Sequence, residues 1–368
     1  MVFLVGKWIE CQLGDLITFQ RGHDLPKTKM QGGDYPVVGS NGIIGYHNEY
    51  TTEAPSITIG RSGNVGKPFL YNGKSWSHNT SLYIKEYRDV DPIFIYYYLQ
   101  TLDLGNYAGG SAVPTLNRNH IHTLNVYVPV DIEEQRKIAS VLSATDDKIA
   151  LNTAINENLE QQAQAIFKNL IANIEERVPF TSVIQVLGGG TPKTDKQEFW
   201  NGEIPFFTPK DVGSPYVLST EKNITPLGLE NCNSRLYPVN TVFLTARGTV
   251  GKVSLAGVPM SMNQSCYALA GKDGLHQIVV YHHVLETVKV LKHKASGAVF
   301  DAIITRDFDT EYIPAISLKQ MKDFLTVVEP IYGDVLNRTI ENYRLAALRD
   351  TLLPKLMSGE IDVSEVKI

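Results

Sequence analysis

Two short basic glycine turns are the parts of this sequence best suited to chemistry. Arg61-Ser62-Gly63-Asn64-Val65-Gly66-Lys67 and Arg247-Gly248-Thr249-Val250-Gly251-Lys252 each start with arginine and end in Val-Gly-Lys. Glycine lets a backbone approach a phosphate closely, and Arg and Lys bring the opposite charge. Arginine also presents a donor fork that fits guanine. Neither turn is a nucleotide P-loop, because Pro68 and Val253 follow the lysines where Ser or Thr is required. A surface hairpin capped by solvated charge is the simpler reading of both, and it stays open here.

Other polar residues recur in matched places. Arg21 with Lys27 and Lys29, and Lys193 with Lys196, sit in glycine-containing stretches and suit phosphate contact or plain solvation. Lys210, in Thr208-Pro209-Lys210-Asp211, loosely matches Ser40-Asn41. His78-Asn79 falls against Met262-Asn263. Asparagine can read adenine through two hydrogen bonds, but an Asn bonding its own turn is the plainer account. His276, His282 and His283 could suggest a metal site. However, His282 and His283 fall where the other half carries Tyr97 and Tyr98, so packing is the expected role. Core packing is likewise expected of the run Tyr96-Tyr97-Tyr98. Asp146-Asp147 lie in an acidic stretch and are read as solvated or as facing a partner. The chain has no Gly-x-Ser-x-Gly, His-Glu-x-x-His or helix-opening Gly-x-Gly-x-x-Gly motif, and no paired catalytic acids. A hydrolase in an unrecognised fold is the least favoured reading.

The elements that must position these residues come in two sets. The first anchors of the repeat lie 184 or 185 positions apart: Val65-Gly66-Lys67 with Val250-Gly251-Lys252, Asn79-Thr80-Ser81 with Asn263-Gln264-Ser265, and Ile95 to Tyr98 with Val280 to His283. Gly33 to Pro36 pairs with Gly202 to Pro205, and Pro114 with Pro314, which implies insertions near 210–245 and 290–312. The chain is therefore two copies of one unit. Each copy begins with short β-branched stretches between glycine turns, read as strands, and a helix over about 91–103 or 276–294. Each copy ends in a long amphipathic run. From Asp131 to about Asn173 there is no Gly or Pro, and Ile138, Leu142, Thr145, Ile149, Asn152, Asn156, Leu159, Ala163, Ile166 and Leu170 follow steps of four and three. That is a coiled-coil seam with a polar middle. Leu336, Ile340, Tyr343 and Ala347 begin its counterpart, with Pro354 as a kink or stop.

The domain plan is then 1–130 and 177–330 as mixed α+β globules, with 131–176 and 331–368 as long helices packed as an antiparallel coiled coil. Each helix would be about 50–60 Å long. Two similar heads on a rigid spacer form a ruler. On B-DNA, where matched sites recur about 34–36 Å apart, such a ruler reads two half-sites with an unread gap. A scaffold that clamps protein subunits without reading bases has the same geometry.

Composition bounds these readings. The 368 residues include 43% hydrophobic and 20% charged side chains, enough for sizeable cores. The net charge is −5, and the excess acid lies almost wholly in 131–176, with 9 acidic against 4 basic side chains. Bulk charge alone would not hold nucleic acid. Cys11, Cys232 and Cys266 are too few and too scattered for a disulfide framework, which suits a reducing cytoplasm. No signal-peptide start or membrane-spanning run is evident in the sequence.

The sequence resembles the specificity subunits of Type I restriction-modification systems over nearly its whole length. The resemblance rests on Trp8 to Leu16, the paired glycine turns, Gly110-Ser111 with Pro114 and Leu116-Asn117, and Val128-Pro129 followed by Ile132-Glu133-Glu134-Gln135-Arg136-Lys137-Ile138-Ala139. Leu352-Leu353-Pro354-Lys355-Leu356-Met357-Ser358-Gly359-Glu360-Ile361 completes it. It implies two target recognition domains on double-stranded DNA and a chain without catalytic activity or a cofactor or metal of its own. It also implies methyltransferase subunits, two of them, docked on the helices and using S-adenosylmethionine to methylate adenine, with restriction-translocase subunits as further partners. The DNA-contacting candidates are then Arg21, Lys27, Arg61, Asn64, Lys67 and His78 in the first copy. In the second they are Lys193, Lys210, Arg247, Thr249, Lys252 and Asn263.

Overall fold

The computed structural model describes residues 4–5, 8–109, 114–213, 215–294 and 302–367, so Gly110-Ser111 lies outside the described residues. These form two units, Met1–Lys148 with Leu345–Ile368, and Ile149–Arg344.

In the first unit the β-branched stretch Ser56–Gly60 is buried at every position. It takes a central place in a four-stranded antiparallel sheet ordered Ile17–Arg21, Ser81–Tyr87, Ser56–Gly60, Pro68–Tyr71. A strand buried on both faces reads as a continuous apolar or small run, as this one does. A second sheet orders Gly42–His47, Tyr35–Gly39 and Trp76–Ser77, the last pair parallel. The helix Pro92–Gln100 starts where Asp91 accepts from the amides of Ile93 and Phe94 at 2.9 and 3.0 Å, with proline in the first turn. It buries Phe94, Ile95, Tyr97, Tyr98 and Leu99.

The second unit repeats this order. Ile184–Gly188, Cys266–Gly271, Val242–Thr245 and Val253–Ala256 form the same antiparallel series, and Tyr216–Val217 adds a parallel edge. Asn223–Ile224, Trp200–Phe207 and Ser261–Met262 make its second sheet. The helix Gln277–Lys294 buries Tyr281, His282, His283 and their apolar neighbours.

The long helices are Ile132–Ala172 and Leu318–Met357. The second begins well before residue 331 and runs through both Pro330 and Pro354, so Pro354 is not a stop. In each unit the portions of the two helices run antiparallel. In the first unit Ile138 and Leu142 share a core with Leu356 and Met357, and Asp146 binds Arg349 at 2.6 Å. In the second, Phe167 packs on Phe324, and Asn152 is fully buried. The Asn152 amide donates to Asn342 Oδ1 at 2.9 Å and to Glu341 at 2.8 Å, while Arg338 donates to its oxygen at 3.3 Å. Asn156 donates to the Val335 carbonyl and Thr339 Oγ1, both at 3.3 Å. Buried polar pairs of this kind fix helix register. Thr145 does not join them, because its hydroxyl donates to Val141 in its own helix.

Two sequence-based expectations change. Pro314 corresponds to Pro129, not Pro114: Pro129 pairs with Trp8 and Pro314 with Arg177, each at the domain's opening strand. No insertion near 290–312 is then needed. Asp146, expected to be solvated or to face a partner, accepts from the Tyr97 hydroxyl at 2.7 Å as well as from Arg349.

Candidate nucleic-acid interface

Each glycine turn joins two antiparallel strands, Ser56–Gly60 to Pro68–Tyr71 and Val242–Thr245 to Val253–Ala256. Their backbones match bond for bond. The Gly60 amide donates to Lys67 O at 3.1 Å, and Thr245 to Lys252 O at 2.9 Å. Gly66 donates to Gly60 O and Gly251 to Thr245 O, both at 2.8 Å. Gly63 and Gly248 have φ of 84° and 80°, and Gly66 and Gly251 have 78° and 73°, a region that side chains rarely adopt.

This register corrects the pairing of the arginines. The Arg61 amide donates to Thr80 O, and in the second unit that place belongs to Ala246, which donates to Ser265 O, both at 2.8 Å. Arg247 therefore corresponds to Ser62. One position along an extended segment turns a side chain to the other face, so the two arginines serve different surfaces. Asn64 and Thr249 do correspond, as do Lys67 and Lys252. Thr249 is exposed, and its hydroxyl donates to Pro209 O at 3.1 Å.

Around the first turn, Arg21, Arg61, Arg118 and His120 line a cleft of about 500 Å³ with no carboxylate among its described lining residues. Arg21 also meets Asp24 at 3.5 Å, an exposed pair that stabilises little. Lys67 and Asn64 are exposed, and Lys67 lies 5.8 Å from the Phe69 ring centre. Lys27 is exposed on the short turn Lys27–Lys29, away from this cleft.

In the second unit Lys210 borders two cavities. One, of about 370 Å³, is lined by Trp200, Phe206, Lys222 and Asn263. The other, of about 730 Å³, brings Lys210 together with Thr249 and Lys252. Lys210 reaches Glu221 at 3.4 Å across exposed surface. Lys193 is exposed, and its carbonyl accepts the Trp200 indole N–H at 3.1 Å. Arg247 is exposed on its turn.

His78 and Asn263 occupy equivalent positions. The His78 amide donates to Val38 O at 2.9 Å and the Asn263 amide to Phe207 O at 3.0 Å. Asn79 therefore pairs with Gln264, which revises the sequence alignment by one residue. Asn79 bonds Asp24, and Gln264 accepts from Thr191. Burial holds the His78 imidazole below its usual pKa.

Sequence reasoning missed Arg118 and His120, which follow the Asn117 helix cap, and also Lys289 and Lys292 on the helix Gln277–Lys294. Their three-residue spacing put Lys289 and Lys292 on one helix face, which was the available signal. His282 and His283 are core residues. The His282 ring stacks on Phe167, its Nε2 lies 3.1 Å from the Tyr332 hydroxyl, and no cluster of three metal-binding groups occurs among the described residues.

Comparison with known proteins agrees with this architecture. The Type I restriction modification DNA specificity domain matches residues 6–161 and again 176–329. The HindI specificity subunit of Haemophilus influenzae is 24% identical over 328 residues, covering 67% of this chain and 71% of that protein. The EcoR124I/EcoR124II specificity subunit of Escherichia coli is 26% identical over 296 residues, covering 74% and 73%. The crystal structure of the Type-I restriction-modification S subunit from M. genitalium superposes with a TM-score of 0.62 over 95% of this chain and 96% of that one. Its identity is 15%, so that likeness is one of fold.

Proposed function

The chain belongs to the Type I restriction-modification specificity subunits, and we propose that each of its recognition domains reads one half of a bipartite, asymmetric DNA target. The observation that carries this reading is the pair of glycine turns. They share one backbone and differ in side chains: Arg61 against Ala246, Ser62 against Arg247, Asn64 against Thr249. Matched backbones can meet phosphates alike, while unlike side chains meet different base edges.

The helices serve as spacer and as the docking surface for two methyltransferase subunits, with restriction-translocase subunits as further partners. Exposed apolar residues support such docking: Leu151 and Tyr343 in one unit are 56% and 57% exposed, and Leu348 in the other is 50% exposed. Adenine methylation with S-adenosylmethionine belongs to those partners, and this chain supplies address rather than catalysis. The complex works in the cytoplasm.

The test is a methylation map of host DNA by single-molecule sequencing, with the gene intact, deleted, or carrying substitutions at Arg61 or Arg247. Loss of N6-methyladenine from one split motif on deletion is expected, with altered preference at a single half-site for each substitution. An unchanged map in a host whose methyltransferase subunit is expressed and active would sink the reading. Substitutions that abolish assembly yet never alter preference would favour a protein scaffold.

A further inference from the structure

One cavity of the second unit has a lining that DNA reading alone does not require. It lies between the glycine turn, the Pro209-Lys210 loop, the helix Gln277–Lys294 and the central helix, and measures about 730 Å³. Lys210, Lys252, Lys289 and Lys292 line it, with Glu160 as the one acid among its described lining residues. Glu160 accepts the Tyr281 hydroxyl at 2.6 Å. Lys289 and Lys210 have carboxylate neighbours, Glu286 at 2.6 Å and Glu221 at 3.4 Å. Lys292 is exposed at the rim, and its ammonium donates to the Gly251 carbonyl at 2.9 Å. Burial, and then the charge of Lys252, depress the Lys292 pKa, so the two cations work against each other across the site. A bound anion would relieve that repulsion.

The matching cavity of the first unit lacks this character. It is lined by Lys67, Asp103 and Arg349, and Arg349 is held by Asp146 and Asp350 at 2.6 and 2.7 Å. Its Gly66 packs on the backbone of Leu104 and Gly105, where Gly251 meets the Lys292 side chain. Among the described residues, an unbalanced set of lysines at this place in the repeat belongs to the second copy.

We propose that this cavity binds an anion carrying two or more phosphate groups. Lysine ammonium groups bind phosphate as point charges, four of them match an anion of several negative charges, and the volume exceeds one phosphate several-fold. The source is either successive backbone phosphates of DNA or a free polyphosphate such as a nucleoside triphosphate. Only the DNA source rests on the specificity reading.

The experiment titrates the full chain with inorganic tripolyphosphate by calorimetry at low salt. Lys252→Gln and Lys292→Gln should each weaken binding at least tenfold. Lys252→Arg should retain it, and Lys319→Gln, an exposed lysine elsewhere in the unit, should leave it unchanged. Lys252 is exposed, so its variants keep the test open if Lys292→Gln fails to fold. Anisotropy of a duplex over a salt series separates the sources. Displacement of DNA by tripolyphosphate, or a salt slope that falls by about one per lysine lost, assigns the site to the DNA backbone. Tripolyphosphate binding that leaves DNA affinity and slope intact assigns it to a free polyphosphate, and this outcome stands even if the methylation map refutes target reading. No tripolyphosphate binding together with an unaltered slope overturns the proposal.

Discussion

His78 and Asn263 perform the same local task with different chemistry. Asn263 Oδ1 accepts the amide of Ser265 at 3.0 Å, and His78 Nδ1 faces the equivalent amide of Thr80 at 3.4 Å and its hydroxyl at 3.0 Å. Both place an acceptor two residues ahead of a turn that the domain needs in either copy. His78→Asn should therefore change stability by less than about 1 kcal/mol, whereas Asn263→Leu should cost about 1–2 kcal/mol by stranding the Ser265 amide. Urea unfolding compares the two. Equal losses would mean that the shared acceptor is not what these side chains provide.

The glycines of the two turns should differ in tolerance. A Cβ on Gly66 would lie 2.4 Å from the Gly105 backbone nitrogen, which cannot step aside, while on Gly251 it would meet the flexible Lys292 chain at 2.5 Å. Both also carry positive φ, which costs a side chain about 1 kcal/mol. Gly66→Ala should lose about 3 kcal/mol or more and Gly251→Ala about 1–2 kcal/mol. Thermal melts of the two variants decide it, and a larger loss at Gly251 would contradict the packing.

Asn152 should matter more than its neighbour Thr145. Asn152→Leu would remove the three bonds that join it to Asn342, Glu341 and Arg338 across the helix pair and should cost about 2–3 kcal/mol. Thr145→Ala removes only a bond within its own helix and should cost less than about 1 kcal/mol. Denaturant titration of both variants gives the contrast.

The pH response of the second unit has a fixed sign. Burial lowers the His282 pKa to about 3, helped by His283, and lowers His283 to about 4. Unfolded histidines take up protons near pH 6.5, so between there and about pH 4 the unfolded chain binds more protons than the folded one. Stability is full above about pH 6.5 and falls as pH drops through that window, by up to about 1.4 kcal/mol per unit for each ring. Melting curves of the wild type and His283→Gln between pH 7 and pH 5 should show a shallower slope in the variant. A slope the same in both would place His283 in contact with water.

The repeat, the strands and both long helices were legible because they rest on periodicity and on glycine turns, which are local signals. Registration inside the repeat was not. Matching Arg61 to Arg247 followed residue identity, whereas the backbone bonds to Thr80 and Ser265 place Arg61 opposite Ala246. The division placed at 330/331 falls inside the helix Leu318–Met357, which runs through Pro330. Phe167, 1% exposed, sits beside the expected seam residue Ile166 because aromatic packing with His282, His283 and Phe324 turns that stretch inward. The lysine cavity joins residues from four separate segments, which no spacing rule links.

The first unit is closed by Leu345–Ile368, while the second lies wholly within Ile149–Arg344. Leu356, Met357 and Val363 belong to the same core as Phe19 and Phe94, and the Lys137 ammonium reaches the Ser364 carbonyl at 2.6 Å. On the ribosome, the domain whose sequence emerges first is thus the last to be completed. The inner unit has its full set of contacts while the outer core still exposes Ile138 and Leu142, and that interval is where a chaperone or a protease would find this chain.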